Sequence, residues 1–291
     1  MKSTSPLYDG MFRRLEAVRW TLSEVPFDRV DKSQITEENV EFIRVNCLME
    51  LSSLYAVRMF LRDFKGNVDF CQFMSIWYYE EMKHYLVLRE YLKVFGREPQ
   101  EEELPPLDTE HAPAPWVRTL VLHFCGELRL GMWYYRWSQV FQEPVLKSIY
   151  QLIGNDEYRH AACYEEFMIK AFRQNPAVLL DFLQVAKWML YNPEGDKHPT
   201  TMRANGPDDP SVAERIPGYE RFHRQIVSTI TDEDEERLSR RILVTLSKLA
   251  NFEMKSPIEL SAYTRNLERR QIQEKRSAQR SREENIVLSP G

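Results

Sequence analysis

Long stretches that mix apolar and charged residues alternate along the chain with short segments rich in proline, glycine, aspartate and asparagine. The long stretches predict helices, and the short segments predict the turns between them. Clear breaks fall at Lys65-Gly66-Asn67, Glu143-Pro144 and Asn175-Pro176. The predicted helices cover residues 8–24, 36–64, 68–95, 115–142, 144–173, 177–191, 211–230 and 232–252.

Two segments are expected to depart from this pattern. Residues 96–115 contain five prolines and predict a long crossover between two helical hairpins. Residues 192–210 predict a surface loop. We therefore divide the chain into a helical bundle with a lead-in helix (1–191), a loop and additional helices that pack on the bundle (192–257), and a charged, flexible tail (258–291).

The composition narrows the class of protein. The chain has 291 residues, of which 43% are hydrophobic and only 10 are glycine, and this suits long helices around a sizeable core. The net charge of −5 gives no reason to expect nucleic acid as a partner. We expect no membrane span, because no run of about 18 apolar residues is present. The four cysteines form no C-x-x-C pair, so we expect reduced thiols in a cytoplasmic protein.

Glutamate and histidine residues occur in two matching halves. Each half has a lone glutamate, followed after 81 − 50 = 31 or 157 − 127 = 30 residues by a Glu-x-x-His pair. Residues three apart lie on one face of a helix, so each pair can direct two ligands at one point. The six candidate catalytic and metal-ligating residues are Glu50, Glu81, His84, Glu127, Glu157 and His160.

The predicted turns place these ligands at one level. Each turn lies near the middle of the gap between a lone glutamate and the Glu-x-x-His pair that follows it. Because an α-helix rises about 1.5 Å per residue, the chain climbs and returns to the level of the first ligand. Four carboxylates and two imidazoles can neutralise and bind two divalent ions, and this donor set suits iron better than zinc. We expect two iron ions, with an Mn/Fe pair as the alternative.

The residues around the two Glu-x-x-His pairs resemble known motifs. Residues 80–84 (EEMKH) and 156–160 (DEYRH) are similar to the E-E-x-R-H and D-E-x-R-H motifs of soluble acyl-carrier-protein desaturases. More broadly, residues 36–173 resemble the ferritin-like di-iron oxidases. The resemblance implies an all-α fold, a ferritin-like four-helix bundle with extra N- and C-terminal helices. It also implies that Asp156 and Glu80 hydrogen-bond the ligand histidines, whereas Lys83 replaces the arginine of the motif.

Several other side chains share the faces of the ligands. Trp77, Tyr134 and Tyr164 lie four or seven residues from a ligand and predict either core packing or an aromatic wall of a substrate pocket. Gly131, one turn after Glu127, predicts either a hole beside the metal site or a close helix contact. His123 predicts either a core histidine or an additional ligand.

These features favour an O2-dependent non-haem di-iron oxidoreductase, such as a monooxygenase or desaturase. It would use O2 as co-substrate to oxidise a C–H or N–H bond of a small organic or acyl substrate. The sequence shows no rubredoxin-like four-cysteine domain, so we expect an external electron donor, either ferredoxin-like or a small reductant. A homodimer is an open expectation. The alternatives are a ferritin-like ferroxidase without an organic substrate and a structural bundle that binds no metal.

Overall fold

The computed structural model describes residues 6–103, 115–191 and 213–287, and these residues form helices and short 3₁₀ turns but no strands. The helices of this described part are α1 (Tyr8–Glu16), α2 (Glu37–Leu51), α3 (Ser53–Asp63), α4 (Val68–Lys93), α5 (Trp116–Val140), α6 (Pro144–Gln174), α7 (Leu179–Tyr191), α8 (Tyr219–Thr229), α9 (Asp232–Ala250) and α10 (Pro257–Val287). The all-helical prediction is therefore confirmed for these residues.

Local polar side chains determine where the central helices begin. Thr36 accepts a hydrogen bond from the backbone N–H of Asn39 at 3.2 Å, and the Asn39 side chain accepts one from the Thr36 N–H in return. Such reciprocal caps satisfy N–H groups that have no partner inside the helix. The side chain of Asn67 caps α4 by accepting from the Phe70 N–H, and that of Glu143 caps α6, whose first residue is Pro144, by accepting from the Leu146 N–H. Proline suits this position because its missing N–H has no role there.

The helix predicted over residues 36–64 is wrong in one respect, because the chain breaks at Ser52 into α2 and α3. The hydroxyl of Ser53 donates to the Glu50 carbonyl at 2.8 Å, and the Ser52 hydroxyl donates to the Met49 carbonyl. Serine side chains that bond nearby carbonyls compete with helical hydrogen bonds and bend helices. The break lies two residues after a candidate ligand.

The helix predicted over residues 8–24 is also too long. α1 ends at Glu16, and the chain continues to α2 through three short 3₁₀ turns. This irregular path brings Trp20 into the protein, where it is 5% exposed. A helix continuing to residue 24 is not formed, and the lead-in segment instead supplies a side chain to the interior.

Two helical pairs make the central body. α2 and α3 pack along α4, and α5 packs along α6 in the most extensive helix contact of the described residues. α4 also contacts α6, and α3 contacts α5, so the two pairs form one packed unit. α7 covers α5, and α9 packs against α5, α6 and α7.

The apolar core is divided into two clusters by a polar layer. On α4, residues 70–77 contribute to one cluster and residues 87–92 to the other. Between them lie Glu80, Glu81 and His84, all buried. α6 shows the same division, with residues 145–153 in one cluster, residues 161–171 in the other, and Asp156, Glu157 and His160 between them.

The C-terminal region packs more closely than its polar sequence indicates. α10 contacts α7, and Leu260 and Thr264 near its start are fully buried. The first turns of the segment predicted to be a flexible tail therefore belong to the packed body. The predicted loop at 192–210 and most of the predicted crossover lie outside the described residues. No described helix is both long enough and apolar enough to cross a membrane.

Candidate metal centre

The structure brings all six predicted ligands together inside the polar layer. One comes from the last turn of α2, two from α4, one from α5 and two from α6. None is more than 7% exposed. The converging side chains are Glu50, Glu81, His84, Glu127, Glu157 and His160.

The ligand atoms form two groups that share two glutamates. One group joins Glu50 and His84 to Glu81 and Glu157, and its ligand atoms lie within 4.8 Å of one another. The second group joins Glu127 and His160 to the same Glu81 and Glu157, within the same limit. Sharing of this kind would let Glu81 and Glu157 each contribute to two adjacent cation sites.

The position of Glu157 between the two groups is the clearest case of this sharing. Its Oε1 lies 3.5 Å from Nδ1 of His84, and its Oε2 lies 3.5 Å from Nδ1 of His160. Each histidine also has a glutamate of its own half nearby, since Nδ1 of His84 is 3.5 Å from Glu50 and Nδ1 of His160 is 3.5 Å from Glu127. Each carboxylate oxygen of Glu157 thus faces one half of the site.

Burial without hydrogen bonds makes this cluster electrostatically costly. Among the described residues, neither oxygen of Glu157 and neither histidine Nδ1 has a hydrogen-bond partner. Burial raises the pKa of Glu157 well above its usual range, and the charges of Glu81 and Glu127 raise it further. Burial also raises the pKa of Glu81 to about 7. These groups would be relieved by cations between them.

Two acids hold the histidines from the outside, in a crossed arrangement. Asp156 Oδ2 lies 3.1 Å from Nε2 of His84, and Glu80 Oε2 lies 2.9 Å from Nε2 of His160. Each acid therefore supports the histidine of the other half. Because the carboxylates can only accept, Nε2 carries a proton, and in the neutral ring the lone pair of Nδ1 faces the centre. Burial alone would lower the pKa of His84, but the hydrogen bond to Asp156 and the nearby Glu50 carboxylate raise it to about 9.

Trp20, which the sequence did not indicate, joins Lys83 and Arg159 of the two motifs in this outer network. Trp20 donates its indole N–H to Asp156 at 2.7 Å. Lys83 lies 3.5 Å from Asp156 and 4.1 Å from the centre of the Trp20 ring, while Arg159 forms an ion pair with Asp156. Although burial opposes it, the bond to His84 and the charge of Lys83 lower the pKa of Asp156 well below its usual range. Nothing in the sequence around Trp20 indicates this contact.

A cavity of about 470 Å³ reaches the site, and its lining includes Glu50, Glu81 and Glu127. Trp77 and Tyr134, two of the predicted pocket residues, lie on its wall. The Trp77 indole donates to Glu127 at 2.9 Å, and the Tyr134 hydroxyl donates to Glu50. Both aromatic side chains therefore fix a candidate ligand and border the space beside it.

Two predicted pocket residues do not line this cavity, and they require correction. A Cβ at Gly131 would lie 3.0 Å from the ring of Tyr158, so this glycine permits the close contact of α5 with α6. Tyr164 packs in the aromatic core, 5.5 Å from Phe73 between ring centres. His123 belongs to neither ligand group and lies 4.0 Å from the ring of Phe60, as expected of a core histidine.

The outer wall of the cavity comes from the C-terminal helices. Phe222 of α8, Glu235 of α9 and Met189 of α7 line it together with Trp133 and Arg129 of α5. The sequence gives no local signal for these positions, because their role depends on how α7, α8 and α9 pack on α5.

No protein-family model matches the chain, and no curated protein matches it significantly in sequence. Any assignment of function therefore depends on the geometry of the site.

Proposed function

We propose that this protein is an O2-dependent di-iron oxidoreductase, built on a ferritin-like four-helix bundle of α2–α3, α4, α5 and α6. The observation that carries the proposal is the pair of ligand groups that share Glu81 and Glu157. A glutamate from each of two helices and a Glu-x-x-His motif from each of two others form the ligand set of di-metal carboxylate bundles.

The residues present fit two divalent ions. One ion would be held by Glu50 and His84 and the other by Glu127 and His160, with Glu81 and Glu157 shared. The buried oxygen and nitrogen atoms that lack hydrogen bonds are the atoms that such ions need. Four carboxylates balance the charge of two divalent cations, and carboxylate with imidazole suits iron or manganese.

When bound, a pair of iron ions would supply the redox chemistry that reduces O2 and oxidises a C–H or N–H bond. The protein contributes the arrangement around it. Asp156 and Glu80 keep the histidine lone pairs directed at the centre, and the indole of Trp77 orients Glu127. The two apolar clusters exclude water from both sides of the polar layer. Electrons would come from an external donor, ferredoxin-like or a small reductant.

The cavity favours an organic substrate over iron oxidation alone. Its volume of about 470 Å³ lies in the range of small-molecule sites, which are usually apolar with a few polar groups. Aromatic side chains line it, among them Trp133, Trp137 and Phe222. A ferroxidase needs only a path for iron, and a wall of this kind would not serve it.

The test is anaerobic loading with Fe(II), followed by elemental analysis and exposure to O2. We expect two iron ions per chain and a ferric absorption band that is lost when Glu81 or His160 is replaced by alanine. One tightly held zinc and no iron would refute the proposal. O2 consumption that does not respond to any organic compound in a panel, but continues with excess Fe(II), would favour the ferroxidase.

A further inference from the structure

A buried arginine side chain lies on the wall of the cavity and takes no part in the metal centre. Arg129 lies on α5, two residues after Glu127, lines the cavity and is 7% exposed. Its Nη2 donates to the Met189 carbonyl at a long 3.4 Å. The same atom lies 3.9 Å from a carboxylate oxygen of Glu235, a side chain that is 41% exposed. Among the described residues, Nε of Arg129 has no partner.

This set of contacts leaves the guanidinium poorly compensated. A guanidinium stays charged in proteins and offers five N–H donors in a planar fork. A buried charge is normally paired with a carboxylate at hydrogen-bonding distance. Arg129 instead has one long hydrogen bond and one distant acid among the described residues, so its charge is incompletely compensated on the wall of the cavity.

The helix geometry relates Arg129 to the metal centre. Successive residues of a helix are rotated by about 100°, so the Arg129 and Glu127 side chains leave α5 on nearly opposite sides. Gly126, Leu130 and Trp133 fall between them on the helix surface, and all three line the cavity. A ligand in the cavity therefore lies across α5, with one end at Arg129 and the other towards Glu127.

We infer that the cavity binds an apolar monocarboxylate, with its carboxylate on Arg129 and its apolar body directed towards the metal centre. The inference rests on the proposed function, because it names the substrate class of the same site. A carboxylate matches the planar fork of a guanidinium in two parallel hydrogen bonds.

Among the described residues that line the cavity, Arg129 is the only lysine or arginine, so an anionic group of the ligand is favoured beside it. Glu50, Glu81 and Glu127 border the inner end and disfavour a second anionic group there. The aromatic rings of Trp133 and Phe222 provide apolar surface for the rest of the ligand. Glu235 is partly exposed and can turn to solvent when a ligand carboxylate takes its place beside Arg129.

The test compares probes that share one apolar body and differ in the head group. Isothermal titration calorimetry would measure the Kd of phenylpropanoate, phenylpropanol and phenylpropylamine, and of octanoate and octanol, for the full chain. Each titration is made with and without Fe(II), under anaerobic conditions. The metal-free arm separates binding at Arg129 from coordination of the carboxylate to iron.

We expect the carboxylates to bind more tightly than the alcohols and the amine, in both arms. Arg129→Gln should weaken carboxylate binding by about ten-fold or more and leave alcohol binding unchanged, because only a charge-assisted bond is lost. Arg129→Lys should retain part of the selectivity. Arg118→Gln, an exposed arginine on the same helix, is the matched control and should have no effect.

Three results would overturn the inference: no measurable carboxylate binding, equal binding of carboxylate and alcohol, or unchanged carboxylate binding in Arg129→Gln. If Arg129→Gln does not fold, the inference is tested by comparing the head groups in the unaltered protein and in Arg129→Lys. Failure of the proposed function would give a different result. A protein that binds carboxylates through Arg129 but takes up no iron would support the carboxylate site and refute the di-iron oxidoreductase.

Discussion

Two buried glutamates, Glu157 within α6 and Glu143 at its N-cap, offer a test of the metal centre, because they have the same chemistry and differ in their hydrogen bonding. Glu157 and Glu143 are both fully buried. Glu143 accepts hydrogen bonds from the Leu146 N–H at 2.7 Å and the Tyr91 hydroxyl at 3.0 Å. Glu157 has no hydrogen-bond partner for either oxygen among the described residues. We predict that Glu157→Gln and Glu143→Gln separate metal binding from folding.

The magnitudes follow from these contacts. The raised pKa of Glu157 means that burial and the charges of Glu81 and Glu127 disfavour its charged form in the metal-free protein. Glutamine has the same shape without the charge and breaks no hydrogen bond of the described residues, so the free energy of unfolding should change by less than about 1 kcal/mol. Glu143→Gln exchanges an acceptor for an amide N–H that faces donors. This variant should lower the free energy of unfolding by about 1–3 kcal/mol. In larger domains each kcal/mol corresponds to about 2–4 °C of melting temperature.

The increase in stability on metal binding should distinguish the two variants in the opposite sense. A ligand at 100 times its Kd stabilises the folded state by about 2.7 kcal/mol, which corresponds to roughly 5–10 °C. Glu143→Gln should keep this increase and Glu157→Gln should lose most of it. The assay is differential scanning calorimetry with and without Fe(II) under anaerobic conditions. The reasoning is refuted if Glu157→Gln lowers the metal-free melting temperature as much as Glu143→Gln and keeps the metal-dependent increase.

Two further predictions concern the crossed acids and the contact of α5 with α6. Asp156→Asn and Glu80→Gln should retain iron but slow its reaction with O2 by about 10–100-fold, measured by stopped-flow absorption; loss of iron from both variants would contradict this role. Gly154→Ala should lower the melting temperature, because the new Cβ would lie 3.3 Å from the Gly131 carbonyl oxygen, a backbone atom that cannot turn away. The destabilisation of about 1–3 kcal/mol from overpacking outweighs the gain of about 1 kcal/mol from the higher helix propensity of alanine. Gly131→Ala should cost less, since the three atoms nearest to its new Cβ belong to the ring of Tyr158, a side chain that is 40% exposed and can move; equal losses would contradict the distinction.

The sequence alone located the candidate metal centre because its signals are local. A Glu-x-x-His pair lies on one helix face whatever surrounds it, and a turn midway between two ligands returns the chain to the same level. Glu81 and His84, for example, could be placed together from spacing only. The hydrogen bonds of Asp156 and Glu80 to the histidines were implied by the resemblance of the two motifs, although their crossing between the two halves was not.

The tertiary structure decided everything that depends on which helix faces which. Trp20 meets Asp156 across 136 positions of the chain, and no local pattern specifies such a contact. Gly131 could have faced a pocket or a neighbour, and only the packing of α6 on α5 shows that it faces Tyr158. Arg129 reads from the sequence as an ordinary helical arginine. It becomes a buried cation in a cavity only because α7, α8 and α9 fold over α5 and remove it from water.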